Sequence, residues 1–192
     1  MTVTLASASP RRKELLSMLV SEFGSVATNI DETPFEGELP EKYVVRMALE
    51  KADAAKACDS VVIASDTIVV LSGRILQKPN SIADARGMLR ELSGRTHEVM
   101  TAVVVVSDGK LHKTLTVTRV TFADLMESHI DTYLETDEPW DKAGAYGIQG
   151  LAGTFVRKVE GSYSAVVGLP LCETRELLEK VGMRTRMSDI SV

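Results

Sequence analysis

The fold of this chain is set mainly by one stretch, Ser60-Val61-Val62-Ile63-Ala64-Ser65-Asp66-Thr67-Ile68-Val69-Val70-Leu71. Its run of β-branched and other apolar residues predicts a central strand covered on both faces. Asp66 interrupts this run, and a carboxylate in an apolar strand is costly unless it is paired, hydrogen-bonded or bound to a metal. One alternative is a turn at Ser65-Asp66-Thr67 that joins two strands. A break in a central strand is a favourable place for a functional site, so we favour a functional Asp66.

A second motif lies near the beginning of the chain. Val3-Thr4-Leu5-Ala6 predicts a first strand, and residues 13–19 have apolar side chains at helical spacing. Between them lies Ser7-Ala8-Ser9-Pro10-Arg11-Arg12, in which Ser9 is the natural N-cap and Pro10 suits the first helical turn. Free N–H groups at a helix N-terminus and two guanidinium groups favour a phosphate ligand. A capped helix with solvated arginines fits the same motif equally well.

An acidic loop and a long helix lie between these two motifs. Residues 31–38 contain four carboxylates in a segment that also contains Pro and Gly. This loop is compatible with a site for Mg²⁺ or Mn²⁺, which prefer carboxylate oxygens, but a solvated acidic loop is the simpler interpretation. Residues 40–58 predict an amphipathic helix. Its periodicity leaves open whether Lys51 faces solvent or a site at the edge of the helix.

The remainder of the chain predicts helices and strands joined in both hairpin and crossover fashion. Helical patterns cover residues 81–92, 126–135, 164–169 and 170–181, and strand patterns cover residues 96–106, 111–122 and 154–159. Asp108-Gly109 predicts a hairpin between two of these strands. Residues 138–153 are rich in glycine but match neither the dinucleotide-binding pattern nor a P-loop. We therefore predict an α/β fold with a mixed sheet.

Composition and charge restrict the class of protein. The 192 residues, 44% of them hydrophobic, predict one domain over residues 1–192 with a polar tail from about residue 184. A net charge of −5 argues against binding nucleic acid or an anionic membrane. No apolar run reaches the roughly 20 residues needed to span a bilayer, and no signal peptide is recognisable. Cys58 and Cys172 form no CxxC pair, so we expect reduced thiols and a cytoplasmic protein.

Six blocks, in order along the chain, resemble the signature blocks of the Maf family of nucleotide pyrophosphatases. They are Ser7-Ala8-Ser9-Pro10-Arg11-Arg12, Asp31-Glu32, Ser65-Asp66-Thr67, Lys78-Pro79, Leu92-Ser93-Gly94-Arg95-Thr96-His97 and Gly144-Ala145-Tyr146-Gly147-Ile148-Gln149-Gly150. The resemblance covers nearly the whole chain. It implies an elongated two-lobed fold, similar to Ham1 and the ITPases, on a central mixed β-sheet with the active cleft between the lobes. It also implies hydrolysis of nucleoside triphosphates to the monophosphate and diphosphate, with Mg²⁺ or Mn²⁺ as the divalent cation.

The same resemblance assigns roles to single residues. Asp66 matches the aspartate that is treated as the proton acceptor, and Glu32 together with Asp66 would hold the metal or position water. Four residues would bind the phosphates: Ser7, Arg12, Lys51 and Lys78.

The resemblance also implies a substrate. Arg11, Thr67 and Gln149 match positions that mark specificity in the family branch that acts on dTTP and UTP. The amide of Gln149 offers one donor and one acceptor, which suits the imide edge of uracil or thymine. Modified pyrimidine triphosphates are also consistent substrates for this branch. A role in keeping modified nucleotides out of nucleic acid or in division arrest is consistent with the branch, and so is a homodimer. The alternatives are a 7-methyl-GTP pyrophosphatase and a nucleotide-binding regulator of septum formation.

Overall fold

The computed structural model describes residues 2–55 and 60–188. Its strands are β1 (Thr2–Leu5), β2 (Gly24–Ser25), β3 (Ser60–Leu71), β4 (Arg74–Leu76), β5 (Thr96–Ser107), β6 (Lys110–Phe122) and β7 (Val156–Glu160). They form a seven-stranded sheet in the order β2-β1-β3-β5-β6-β7, with β4 paired to β3. The β1 strand runs parallel to β2 and β3, whereas β4 runs antiparallel to β3 and β7 antiparallel to β6. The mixed sheet confirms the predicted α/β class.

The helices are α1 (Pro10–Ser17), α2 (Pro40–Ala54), α3 (Ile82–Leu92), α4 (Glu127–Leu134), α5 (Tyr163–Val167) and α6 (Leu171–Lys180). Two short 3-10 helices cover Ala143–Ala145 and Leu151–Phe155. Within residues 2–55 and 60–188, no helix combines the length and the apolar composition that crossing a bilayer requires. The helix predicted over residues 40–58 is found over Pro40–Ala54. The end of that prediction, with Cys58, lies outside the described residues.

The β3 strand passes through Asp66 without interruption. Its first half pairs with β1, where Leu5 faces Ile63, and its second half pairs with β4, where Val70 faces Ile75. The alternative of a turn at residues 65–67 is therefore wrong, because the sheet continues on both sides of Asp66. Residues 61–66 are buried throughout, as expected for a central strand.

The β5 and β6 strands form the predicted hairpin. They are neighbours in the sheet and are joined by Asp108-Gly109 alone, so they run antiparallel. Both turn residues have positive φ, 49° and 73°, as a tight hairpin turn of this kind requires. Asp108 tolerates this conformation better than most residues with a side chain.

The chain divides into two compact units. The first contains the described residues within Met1–Asp66, Thr101–Thr116 and Gly168–Val192. Its core is formed by large side chains that are fully buried, among them Leu5, Leu16, Met47, Ile63, Leu169 and Leu178. Within the predicted polar tail, Thr185 is buried and the N–H of Arg186 donates to the carbonyl of Leu19 at 2.8 Å.

The second unit contains Thr67–Met100 and Val117–Val167. Its core is aromatic at the centre, with edge-to-face ring pairs between Phe122 and Tyr146 and between Tyr133 and Phe155. Each ring pair contributes about 0.5–1.5 kcal/mol beyond the burial of its area. This unit also carries the glycine-rich segment, which is folded against that core. The prediction of a single domain over residues 1–192 stays a prediction.

Candidate active site

The loop between β1 and α1 is organised by its two serines. Ser9 is the N-cap of α1, and its Oγ accepts the N–H of Arg12 at 3.4 Å, while Pro10 begins the helix. The buried Oγ of Ser7 accepts the N–H of Ser9 at 3.2 Å and Nη1 of Arg12 at 3.4 Å. The predicted cap is thus confirmed, and Arg12 is held beside the hydroxyl that was predicted to share its phosphate ligand.

Arg12 is also anchored next to β3 through the carbonyl of Gly168. Nε of Arg12 donates to this oxygen at 3.0 Å, and Oγ of Ser65 donates to it at 2.9 Å. Gly168 has a φ of 134°, a backbone conformation that side chains disfavour. One glycine carbonyl therefore joins the arginine loop to the residue that precedes Asp66.

Lys51 joins the two carboxylates that were predicted to act together. It lies on the buried face of α2, one and two turns after Met47 and Tyr43. Its Nζ is 2.6 Å from Oδ1 of Asp66 and 2.7 Å from Oε1 of Glu32. Lys51 and Asp66 are each only 8% exposed, whereas the Glu32 side chain is 48% exposed. The open question about Lys51 is thereby answered, since it faces the site.

Burial is the main cause of the pKa shifts of Asp66 and Arg12 in this cluster. It raises the pKa of Asp66 above its ordinary value, against the positive charges of Lys51 and Arg12, while the charge of Glu32 adds to the rise. Burial likewise lowers the pKa of Arg12, assisted by the charge of Arg11 and opposed by Asp66 and Glu32. A buried carboxylate with a raised pKa is a better proton acceptor than an exposed one, which suits a general base.

Two side chains of α2 fix the acidic loop at Glu32 and at the next residue, Thr33. Oη of Tyr43 donates to the carbonyl of Glu32 at 2.7 Å, and Nη2 of Arg46 donates to the carbonyl of Thr33 at 3.1 Å. Arg46 also donates from Nε and Nη2 to the two oxygens of Glu38, at 2.7 Å each. Burial, with the nearby carboxylates, raises the pKa of Tyr43 to about 12, so its hydroxyl remains a donor.

Sequence reasoning missed this attachment of the loop. The guanidinium of Arg46 also lies 3.9 Å from the ring centroid of Phe35 in the same loop. The one available signal was the spacing of Tyr43 and Arg46, which places them on neighbouring turns of one helix face. That spacing does not reveal which loop they would contact.

We expect the Glu38–Arg46 pair to give a pH-dependent contribution to stability. Hydrogen bonds from Arg46 lower the pKa of Glu38 from 4.5 to about 2. A lowered folded-state pKa means that the stabilisation is complete above pH 4.5 and is lost as the pH falls toward 2. In urea unfolding, the difference in free energy of unfolding between wild type and Glu38→Gln should therefore shrink as the pH is lowered from 4.5 toward about 2.

The matched control is Glu36→Gln, which changes an exposed carboxylate of the same loop. Its difference from wild type should stay small and constant over the same range. A Glu38→Gln difference that did not change with pH would contradict the role given to Arg46.

Four predicted residues remain to be placed. Arg11 follows Pro10 on α1 and is half-buried. Three others belong to the second unit: Thr67 is half-buried in β3, Lys78 is exposed after β4, and Gln149 is exposed in the glycine-rich segment. The first unit alone thus brings together the five residues Ser7, Arg12, Glu32, Lys51 and Asp66. The roles of Arg11, Thr67, Lys78 and Gln149 stay predictions.

The donor set in the first unit fits a hard divalent cation. Glu32 and Asp66 each have one oxygen within 2.7 Å of the same ammonium group, so the two carboxylates converge on one place. Over residues 2–55 and 60–188, no group of three or more His, Cys, Asp or Glu side chains is arranged to hold a metal. Mg²⁺ is commonly held by one or two carboxylates, with substrate phosphates and water completing its octahedron. Two convergent carboxylates are therefore compatible with such a cation.

Known proteins resemble this chain in sequence and in fold. Residues 2–181 match the family model of Maf-like proteins. A dTTP/UTP pyrophosphatase of Shewanella sp. strain MR-7 is 53% identical over 194 residues, which cover 96% of this chain and 100% of the relative. The dTTP/UTP pyrophosphatase of Escherichia coli strain K12 is 53% identical over 177 residues, which cover 91% and 90%.

Among solved structures, the Staphylococcus aureus Ham1 protein has a similar fold. The TM-score is 0.57 at 17% sequence identity, with 94% of this chain and 99% of that chain covered. At this identity the likeness concerns the fold alone. It confirms the predicted Ham1-like fold.

Proposed function

This chain belongs to the Maf family, and from that premise we propose that it hydrolyses dTTP and UTP to the monophosphate and diphosphate. Nucleoside triphosphate pyrophosphatase activity is the function of the family branch that its relatives represent. The observation that carries the proposal is the cluster in which Lys51 bridges Glu32 and the buried Asp66 beside Arg12. This cluster supplies a base together with cations, which hydrolysis of a phosphoanhydride requires.

In the proposed reaction, water attacks the α-phosphorus and the bond from that phosphorus to the bridging oxygen breaks. Asp66 accepts the proton of the attacking water. Phosphate oxygens are bound by Arg12, Lys51 and Ser7. The positively charged side chains of Arg12 and Lys51 offset the negative charge that develops on the departing diphosphate. Lys78 is proposed as a further phosphate ligand on the basis of the family motif.

We propose Mg²⁺ or Mn²⁺ as the cofactor, held by Glu32 and Asp66. When bound, such a cation polarises phosphate oxygens and neutralises part of their charge. Both carboxylates contact Lys51 in this structure. If the carboxylates bound the cation instead, the ammonium group of Lys51 would be available to bind substrate phosphates. Lys51 then contributes to phosphate binding, as the family motif implies.

The direct test is diphosphate release from dTTP, UTP, dCTP, dGTP and 7-methyl-GTP, with Mg²⁺ and with a chelator instead. We expect many turnovers per enzyme on dTTP and UTP and none in the chelator. Cleavage of 7-methyl-GTP with dTTP and UTP untouched would overturn the substrate assignment. Release limited to one diphosphate per protein would instead favour a nucleotide-binding regulator.

We predict that Gln149→Ala relaxes the choice of base. Loss of one amide that bonds the imide edge should lower the ratio of kcat/KM for dTTP to that for dCTP by about tenfold. Steady-state kinetics on both nucleotides measure this ratio. Glu135→Ala, an exposed change in the same unit, is the control and should leave the ratio unchanged. An unchanged ratio in Gln149→Ala would remove Gln149 from base recognition.

Other expectations concern partners and location. A nucleoside triphosphate substrate is a partner that the family implies. We propose a cytoplasmic enzyme, and a homodimer is consistent with the family resemblance. Independence from nucleic acid and membranes stays a prediction that rests on the net charge of −5.

A further inference from the structure

The glycine-rich segment that carries Gln149 is tied to one carboxylate, that of Glu138. Its Oε2 accepts the N–H of Leu151 at 2.7 Å, and its Oε1 accepts the N–H of Ala152 at 3.2 Å. Oε1 also accepts Oη of the buried Tyr133 at 3.2 Å. The two N–H groups belong to the first turn of a 3-10 helix and have no partner within it. Glu138 therefore fixes the backbone two and three residues after Gln149.

Two glycines of the same turn, Gly147 and Gly150, pack closely against the side chains of Lys142 and Glu138. A Cβ at Gly150 would collide with the Glu138 carboxylate, and a Cβ at Gly147 would lie 2.6 Å from Cε of Lys142. Nζ of Lys142 in turn donates to the carbonyl of Glu138 at 2.6 Å. Backbone at both glycines thus lies so close to these two side chains that a Cβ at either position would force the side chain to move.

Gln149 lies between these two glycines, inside a closed turn. The N–H of Gly150 donates to the carbonyl of Gly147 at 3.1 Å, and the N–H of Gly153 donates to the carbonyl of Gly150 at 3.0 Å. The Gln149 side chain itself is exposed. Its backbone is held on both sides while its amide is presented outward, which is the arrangement that a preorganised recognition group needs.

We propose that Glu138 is a positioning residue for recognition of the pyrimidine base, acting through Gln149. Its carboxylate sets the backbone around Gln149, so that the amide meets the imide edge of thymine or uracil without first having to be ordered. The inference rests on the proposed function, because it takes Gln149 as the group that reads the base. Disordering a recognition loop weakens binding more than the chemical step, since the ordering cost is incurred on binding.

Glu138→Gln is the informative change because it keeps the shape of the side chain and removes its charge. A neutral amide has one acceptor oxygen and would turn an NH₂ group toward one of the two backbone N–H groups. We expect KM for dTTP and UTP to rise about tenfold while kcat stays within about twofold. Asp137→Asn is the matched control, since it removes the charge of the adjacent, exposed carboxylate, and both constants should stay at wild-type values.

A double-mutant cycle separates positioning from general stability. In a Gln149→Ala background, Glu138→Gln should change KM by less than about twofold, because the residue through which it acts is gone. Equal fold-changes in both backgrounds would overturn the proposal, as would a wild-type KM in Glu138→Gln.

Amide hydrogen exchange tests the positioning without any substrate. The N–H groups of Leu151 and Ala152 should exchange about tenfold faster in Glu138→Gln and at the wild-type rate in Asp137→Asn. Unchanged exchange would overturn the proposal whatever the kinetics. Wild-type enzyme that cleaved neither dTTP nor UTP would refute the proposed function and the recognition role with it, while faster exchange would still show that Glu138 holds the turn.

Discussion

Asp66→Asn should lower kcat for dTTP hydrolysis by about a thousandfold. Asparagine has nearly the same shape, but its amide cannot accept the proton of the attacking water. Burial raises the pKa of the Asp66 carboxyl, which makes its ionised form a stronger base than an ordinary aspartate. Steady-state diphosphate release measures the loss, and circular dichroism with thermal unfolding establishes that the variant is folded.

Asp108→Asn is the matched control for this variant. It makes the same substitution in the same unit, at the β5–β6 turn, where φ is 49° and asparagine is well tolerated. Its kcat should equal that of wild type. If folded Asp66→Asn kept a tenth or more of the wild-type kcat, Asp66 would not be the base.

Lys51→Met should destabilise the protein by about 3 kcal/mol at neutral pH. The side chain is 8% exposed and lies 2.6 Å from an equally buried carboxylate, so its loss leaves Asp66 ionised without its nearest cation. Glu32 is about half exposed and contributes little to the cost, because solvent screens it. Urea unfolding of wild type and variant gives the difference directly.

The pH dependence identifies the cause of this loss. Without Lys51 the folded-state pKa of Asp66 should rise further, so the penalty is complete above that pKa and disappears as the pH falls and Asp66 takes up a proton. The control is Lys110→Met, an exposed lysine in the same unit, which should unfold like wild type. A Lys51→Met penalty of the same size at pH 7 and pH 4 would point to lost packing rather than to an uncompensated charge.

Local patterns were enough to predict most of the elements and to single out Asp66 and the motif around Arg12. The other candidate residues were assigned by the family resemblance. The Ser9 cap, the Asp108-Gly109 hairpin and the β3 strand each depend on neighbours within a few positions, whose backbone preferences act wherever they occur. Asp66 could be singled out for the same reason, because a carboxylate within an apolar strand is visible without knowing what surrounds it.

Side chains whose role depends on a distant partner could not be recognised in this way. Lys51 is hydrogen-bonded to Asp66, which lies 15 residues away in the sequence, and Glu138 is hydrogen-bonded to Ala152, which lies 14 residues away. Helical periodicity left the orientation of Lys51 open, and only the packing of α2 against β3 brings its ammonium group between two carboxylates. Charge, burial and hydrogen bonding act through space, so elements had to be packed before any of these groups acquired its partner.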